Sequence, residues 1–271
     1  MSQASPTSDL KQARATYSVR VLDARMITPT IRAIRVEKPA DFVFRASQAA
    51  RIFLPAPHDL EPHPISMASA PTRDYLEFAV RRSESAWKQS YFALREGNTL
   101  QIQGPVARFF LDTLHPAILI AGGVGITAFK SMLEYATDAR LPITLDLLYS
   151  SRTPEEIAYK DELDSLAQEN PRIRIHYTLT RSTHAHGWNG RIGRIDTAWL
   201  GQVVADKPEA LFYVCGTPQM LADVAQMLES LGVAPERILS ESFKGYACYA
   251  PHSAHTSLQV KSTWTNLTIQ K

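Results

Sequence analysis

Residues 117–133, AILIAGGVGITAFKSML, decide the fold of this chain. The segment begins as a short apolar strand, turns at Gly122, Gly123 and Gly125, and continues as an amphipathic helical pattern. Because glycine has no Cβ, the backbone can adopt positive φ, and a phosphate can approach the amides at the start of the following helix. The pattern predicts a strand–turn–helix unit that binds a nucleotide, although a purely structural turn fits the same residues.

The sequence after this turn has the rhythm of a parallel sheet. Segments whose apolar residues have helical spacing lie between most of the strand patterns. Phe129, Met132 and Leu133 are an example. The strand patterns are short and largely apolar, and they lie at residues 143–150, 173–179, 211–215 and 237–240. Alternating strands and helices predict a parallel sheet that is covered on both faces. Residues 113–243 are therefore predicted to be an α/β nucleotide-binding domain.

A different pattern precedes this domain. From Tyr17 to Leu111, apolar and polar residues alternate with period two in short runs that Pro, Gly and Asp separate. One helix is predicted, around residues 83–97. About six short strands with little helix predict a small antiparallel β-barrel over residues 16–112. The predicted fold class is thus two-domain, an antiparallel β-barrel followed by an α/β domain with a parallel sheet.

Composition narrows the classes of function. The chain has 271 residues, a formal net charge of +2 and scattered Lys and Arg, which argues against a nucleic-acid partner. Two cysteines, Cys215 and Cys248, cannot supply a four-thiolate cluster, and the histidines show no ligand spacing, so no metal is predicted. Residues 1–15 are expected to be a disordered leader, and no apolar run is long enough for a membrane span. A cytoplasmic location is expected.

Five motifs, in their order along the chain, indicate a protein family. They read HPISMASAP at 63–71, GPVARFFL at 104–111, AGGVGITAFKSM at 121–132, FYVCGTPQML at 212–221 and ESF at 241–243. Together they resemble the ferredoxin–NADP⁺ reductase superfamily, over roughly residues 17–243. The resemblance implies a flavoprotein oxidoreductase with FAD on the barrel and NADPH or NADH on the α/β domain.

The resemblance implies roles for one strand of the barrel. His63-Pro64-Ile65-Ser66 stands where the family carries R-x-Y-[ST]. Ser66 is then expected to donate its hydroxyl toward flavin N5. Ile65 replaces the aromatic ring that stacks on the isoalloxazine, and His63 replaces the arginine that neutralises the pyrophosphate.

The next family element is a helix start, which reads Ser85-Ala86-Trp87-Lys88 here. Trp87 and Lys88 are assigned to the flavin site, and Lys88 is expected to supply the charge that a neutral histidine lacks. A solvated helix lysine is the alternative reading. Val80 and Arg81, on the preceding strand, are expected to contact the ribityl chain and phosphates.

On the nucleotide side, the resemblance assigns the glycine turn and its flanks to the pyridine nucleotide: Gly122, Gly123, Gly125, Ile126 and Thr127. Cys215-Gly216 matches the family's nicotinamide site, with Thr217 and Met220 following. Glu241 and Phe243 match the last Glu-x-aromatic. Ser66, Cys215 and Glu241 are the catalytic candidates, although inert packing is an alternative for Cys215.

The nucleotide preference is left open by the sequence. The usual dinucleotide fold places an acid at the tip of the second strand, whereas this chain has Ser151-Arg152 there. With Thr180, Arg181 and Arg191, these residues favour a 2′-phosphate and hence NADPH. NADH stays possible, and so does a solvated role for Arg152.

The predicted function is hydride transfer from NAD(P)H to FAD, followed by electron transfer to a separate acceptor. Because two cysteines cannot form an iron–sulfur relay, the acceptor is expected to be a ferredoxin-like protein, an oxygenase component or a small molecule. The rivals are a flavin reductase that uses free flavin as substrate and a non-catalytic electron-transfer or nucleotide-binding subunit. Residues 244–271 form an extension in which Tyr246 and Tyr249 are expected to gate the nicotinamide site.

Overall fold

The computed structural model describes residues 15–55, 60–107, 109–181 and 187–242. Most of the predicted leader, Phe243 and the extension at residues 244–271 lie outside the described residues. The described chain forms two six-stranded sheets, one antiparallel and one parallel.

The first sheet is the predicted antiparallel barrel, which is confirmed. Its strand order is β4-β3-β6-β1-β2-β5, and an isolated bridge between Met67 and Phe78 joins the two end strands. Alternate side chains such as Ile34, Ile52 and Ile102 fill the interior. The elements are β1 (Thr16–Met26), β2 (Ile31–Glu37), β3 (Ala49–Phe53), β4 (His63–Ser66), β5 (Tyr75–Arg81), α1 (Ala86–Ala93) and β6 (Thr99–Val106).

The second sheet is parallel throughout, with the order β10-β9-β8-β7-β11-β12. The elements are β7 (Ala117–Gly122), α2 (Ile126–Asp138), β8 (Leu145–Ser151), α3 (Lys160–Glu169), β9 (Ile173–Leu179), β10 (Arg191–Ile192), α4 (Thr197–Asp206), β11 (Leu211–Gly216), α5 (Pro218–Ser230) and β12 (Ile238–Ser242). The first strand, β7, lies between β8 and β11, so the strand order reverses at β7 and opens a crevice at the carboxyl ends of β7 and β11.

Both faces of this sheet are buried, which explains its apolar strands. Leu119 and Leu147 pack toward α2 and α3, whereas Ile120 and Leu148 pack toward α4 and α5. The sequence patterns do not predict β10 or α4. Strand β10 has only two residues, both exposed, and therefore carries no periodic signal.

The two sheets share one apolar core. Ile31, Ala33 and Ala79 of the barrel belong to the same buried cluster as Leu119 and Phe129 of the second domain. The two domains therefore share a continuous buried interface. The predicted boundary at residues 112–113 stays a prediction, and it falls in the connection between β6 and β7.

Within the described ranges, no helix is long and apolar enough to cross a membrane. The same residues contain no group of three or more His, Cys, Asp or Glu side chains placed to hold a metal ion. A cytoplasmic location stays a prediction.

Candidate active site at the seam of the two sheets

A cavity of about 670 Å³ lies where the barrel meets the parallel sheet. Strands from both domains contribute to its wall, so neither domain forms it alone. It collects most of the residues predicted from the sequence. These are His63, Pro64, Ile65, Ser66, Val80, Arg81, Trp87, Lys88, Gly122, Gly123, Ser151, Arg152, Thr180, Gly216, Thr217 and Glu241.

Ser66 and Glu241 meet across the seam. Ser66 ends β4 and is 2% exposed, and its Oγ donates a hydrogen bond to Glu241 Oε2 at 3.3 Å. Burial raises the pKa of Glu241 to about 7, while the hydrogen bond from Ser66 acts in the opposite direction. Glu241 can therefore exchange a proton near neutral pH.

Cys215 lies behind this pair rather than in the cavity wall. Its backbone pairs with that of Glu241 in the β11–β12 ladder, and its side chain is fully buried. Burial raises the pKa of the Cys215 thiol well above its ordinary value, and the nearby Glu241 adds to the effect. The thiol is therefore protonated at neutral pH and is not a thiolate nucleophile.

The glycine turn packs against the end of β11. A Cβ on Gly125 would lie 2.4 Å from the Cys215 carbonyl oxygen, so only glycine allows this approach. Gly123 has φ +54° and lines the cavity. Ile126 and Thr127 are buried, and the Thr127 hydroxyl donates to the Val124 carbonyl at 3.1 Å. Their side chains support the turn from within and do not line the cavity.

Met220 fills the crevice between β7 and β11. A Cβ on Gly122 would lie 2.3 Å from Met220 Sδ, and a Cβ on Gly216 would lie 2.7 Å from it. The thioether thus occupies the space that these two glycines leave. It lies next to the cavity edge that Gly122 and Gly216 form.

One wall of the cavity is cationic. Lys88 and His63 lie close to each other, and the pKa of each is lowered, first by burial and second by a neighbouring cation, which is Arg81 for Lys88 and Lys88 for His63. The His63 ring meets the edge of Trp87 at 4.7 Å between centroids. Arg81 is partly engaged elsewhere, because its Nη1 lies 2.7 Å from both Glu156 Oε2 and Thr30 Oγ1. Lys88 and Arg81 are both partly buried, and among the described residues only Arg81 has a carboxylate partner, Glu156, so this wall favours an anion in the cavity.

The residues predicted to bind a 2′-phosphate lie in two separate places. Arg152 and Arg181 are exposed beside each other, and the Arg181 amide donates to the Arg152 carbonyl at 3.0 Å. Ser151 is buried and turns its hydroxyl toward the Glu156 carbonyl at 3.4 Å. Arg191 is not brought to the cavity. It pairs with Asp196 and stacks over Trp199 at 4.9 Å.

Several residues of the cavity wall were not predicted from the sequence. Arg51 lies opposite Pro64 in the β3–β4 ladder and extends to the cavity, where its Nη1 donates to Gln103 at 3.1 Å. No motif marks it, because strand register alone places it there. The other missed residues are mostly small ones that leave space, namely Ala49, Ala79, Val106, Ala107, Val124, Ser150 and Ser242.

A barrel and a parallel sheet that enclose one cavity define a class of protein, the two-domain oxidoreductases that join a flavin to a pyridine nucleotide. The family described as the oxidoreductase NAD-binding domain matches residues 119–226. Ferredoxin–NADP reductase B of Sorangium cellulosum is 30% identical over 241 residues, which cover 84% of this chain and 97% of that protein.

A further relative and a solved structure are also similar to this chain. One component of the Na⁺-translocating NADH-quinone reductase of Marinomonas sp. is 31% identical over 159 residues, which are 57% of this chain and only 39% of that component. The crystal structure of a ferredoxin NADP⁺ reductase from Neisseria gonorrhoeae with bound FAD and NADP has a TM-score of 0.72 at 22% identity, covering 84% of this chain and 98% of that one. The chain belongs to the ferredoxin–NADP reductase family. It is an NAD(P)H-dependent flavoprotein oxidoreductase whose cofactors are FAD and NADPH or NADH.

The cavity wall fits a flavin dinucleotide. The Trp87 indole N–H is buried without a hydrogen-bond partner among the described residues. Lys88 forms no ion pair with any residue in the described ranges, although half of it is buried. At the opposite wall, the backbone of Gly122 and Gly123 is not covered by a side chain. An unpartnered donor, an unpaired cation and a bare turn suit a phosphate-bearing aromatic ligand.

Proposed function

We propose that this protein takes hydride from NADPH or NADH through FAD and delivers the electrons to a separate acceptor. The acceptor is a ferredoxin-like protein, an oxygenase component or a small molecule. The observation that carries this proposal is the Ser66–Glu241 hydrogen bond, because it joins the flavin strand β4 to the nucleotide-side strand β12 at one cavity. FAD, when bound, supplies a ring that accepts hydride and then releases electrons to the acceptor.

Residues of the protein orient the reacting groups and hold a proton beside them. Ser66 presents a hydroxyl that can turn from Glu241 toward a ring nitrogen in the cavity. Glu241, with a pKa of about 7, can store or release one proton beside it. Cys215 remains a neutral, compact side chain behind the wall, where it supports the turn of Gly125 through its carbonyl.

The pyrophosphate of FAD is assigned to the start of α1. Ser85 caps this helix by accepting from the Lys88 amide at 3.4 Å, and Lys88, in the first turn, lines the cavity. The helix N-terminus and the Lys88 ammonium both favour an anion. Lys88 thus supplies the positive charge that His63 lacks, since burial lowers the pKa of His63 and keeps its ring neutral.

The preference for NADPH is assigned to Arg152 and Arg181. Both are exposed at the carboxyl end of the sheet, and neither forms an ion pair with a described residue, so both guanidinium groups are available for a 2′-phosphate. Comparing kcat/KM for NADPH and NADH in the native protein and in Arg152→Ala tests this. The NADPH-to-NADH ratio is expected to fall about tenfold or more.

A visible absorption spectrum tests the function itself. Purified protein, or protein given FAD, should show flavin bands that bleach when NADPH or NADH is added without oxygen. A protein that binds no flavin and shows no such bleaching would overturn the proposal. Acceptor classes are then compared by steady-state electron transfer to a ferredoxin and to a soluble dye.

A second candidate function rests on Ile65. This side chain packs against the barrel core and offers no aromatic ring for stacking, so the flavin is held less tightly on that side. The protein would then be a flavin reductase that releases reduced flavin as product. Loss of yellow colour during gel filtration, with NAD(P)H oxidation that depends on added flavin, would favour this candidate.

A further inference from the structure

Helix α2 contacts both halves of the active site. Its first turn follows the glycine turn at residues 122–125, and the next turns face the barrel. Thr127, Ser131 and Glu134 are spaced four and three residues apart, which places them on one face of a helix. Ser131 lies about 6 Å along the axis from Thr127.

Ser131 joins two barrel segments that lead into the cavity wall. Its Oγ donates to the Ser69 carbonyl at 2.7 Å and accepts from the Ser47 amide at 3.0 Å. All three residues are fully buried. Ser47 lies two residues before Ala49 of the wall, and Ser69 lies three residues after Ser66. One hydroxyl therefore bonds the segment that leads into β3 and the segment that follows β4.

Glu134 repeats the arrangement one turn later. Its Oε2 accepts from the Ala70 amide at 2.7 Å, and its Oε1 pairs with Arg73 at 3.2 Å. Nearby on α2, the buried Lys130 lies 3.7 Å from the buried Glu77 of β5 and 3.5 Å from Glu134. Hydrogen bonds and charges thus fasten this helix to the segment that follows Ser66 and to β5.

We propose that Ser131 and Glu134 are positioning residues for hydride transfer. They set the separation between the nucleotide turn at the start of α2 and Ser66 on the barrel, and hence the overlap of the two rings. This inference rests on the proposed function. Its physical reason is that buried hydrogen bonds have short, directional geometries, whereas the hydrophobic effect is not directional.

Ser131→Ala is the decisive variant. It removes one hydroxyl with little change in volume and leaves the Ser47 amide and the Ser69 carbonyl unpaired. The rate of flavin reduction at saturating NADPH or NADH, measured by anaerobic stopped flow, is expected to fall about 10- to 100-fold, since small misplacements have effects of this size. Nucleotide Kd should change less than about threefold, because the glycine turn is untouched.

Two readouts separate positioning from general destabilisation. The long-wavelength charge-transfer band between nicotinamide and flavin, which depends on ring overlap, should weaken in Ser131→Ala. Amide hydrogen exchange in flavin-free protein should accelerate in segments containing Ser47 and Ala70. Glu134→Gln is expected to show the same changes more weakly, because the amide oxygen can still accept from Ala70.

Thr137→Val is the matched control. Thr137 has a buried hydroxyl on the same helix, but among the described residues this hydroxyl bonds the Leu133 carbonyl and Asn170, both in the second domain. This variant should lose comparable stability with an unchanged band and rate. If Ser131→Ala does not fold, Ser131→Cys, which keeps a weak donor of similar size, replaces it with the same expected directions.

The outcomes distinguish this inference from the proposed function. Native-like reduction rate and charge-transfer band in Ser131→Ala would overturn the positioning role while leaving hydride transfer intact. Equal losses in Ser131→Ala and Thr137→Val would overturn it too. If the native protein reduces no flavin, the proposed function fails, and exchange at Ser47 and Ala70 still reports whether Ser131 fastens the two domains.

Discussion

Glu241→Gln is expected to remove a pH-dependent loss of stability. Burial raises the pKa of this carboxyl from 4.5 to about 7, so the folded state binds a proton that the unfolded state releases between those values. The contribution of Glu241 to stability is complete below about pH 4.5 and is lost as the pH rises through about 7. The glutamine variant has no proton to lose and should not show this decline.

The magnitude follows from the size of the pKa change. An increase from 4.5 to about 7 corresponds to about 3 kcal/mol of penalty for ionising the buried carboxyl. Glu241 faces an open cavity, so water screens part of this penalty, and we expect about 1 to 2 kcal/mol. With a typical urea dependence, the unfolding midpoint of the variant should exceed that of the native protein by roughly 0.5 M at alkaline pH.

Urea unfolding at about pH 5 and about pH 8.5 measures the effect. The difference between Glu241→Gln and the native protein should grow from the lower to the higher pH. Glu236→Gln, at an exposed carboxyl, is the control and should leave the pH profile unchanged. If Glu241→Gln and the native protein lose stability in parallel, the carboxyl is not held protonated by burial and the reasoning is wrong.

Three further predictions concern Lys88, the glycine turn and the backbone at Ala107. Lys88→Ala should weaken FAD binding about tenfold by fluorescence titration, while Lys88→Arg should retain affinity. Equal affinity in the native protein and both variants would contradict the role assigned to the Lys88 charge. Gly125→Ala should lower stability by about 1 to 3 kcal/mol in thermal unfolding, because the new Cβ overlaps the Cys215 carbonyl. Gly201→Ala, whose Cβ would lie 3.4 Å from Leu231, is its control and should not destabilise α4. Ala107→Gly should raise stability by up to about 1 kcal/mol, since Ala107 has φ +73°, and a lower melting temperature would contradict this.

Much of the fold was predictable because its signals are local. Period-two alternation in β1 and β2, and helical spacing in α2, follow from which face of each element is buried. The glycine turn was recognisable from its composition. Strand β10 was not, because two exposed residues carry no pattern.

The site was predictable only in outline. Motif order grouped Ser66, Gly122, Gly216 and Glu241 together, and the structure brings them to one cavity. Placement beyond the motifs did not follow from sequence. Arg191 resembles Arg152 as a basic residue near a strand end, yet the β9–β10 connection places it against Asp196 and Trp199 instead.

The sequence by itself determined most of the strands and helices in their order, the two domain types and the glycine-rich turn after β7, because hydrophobic periodicity and glycine act over a few neighbouring residues. Only the tertiary structure decided that Ser66 reaches Glu241 from 175 residues away, and that Ser131 ties two barrel segments to α2. These contacts depend on how one domain docks against the other. Docking is governed by complementary packing between distant segments, which no local pattern records.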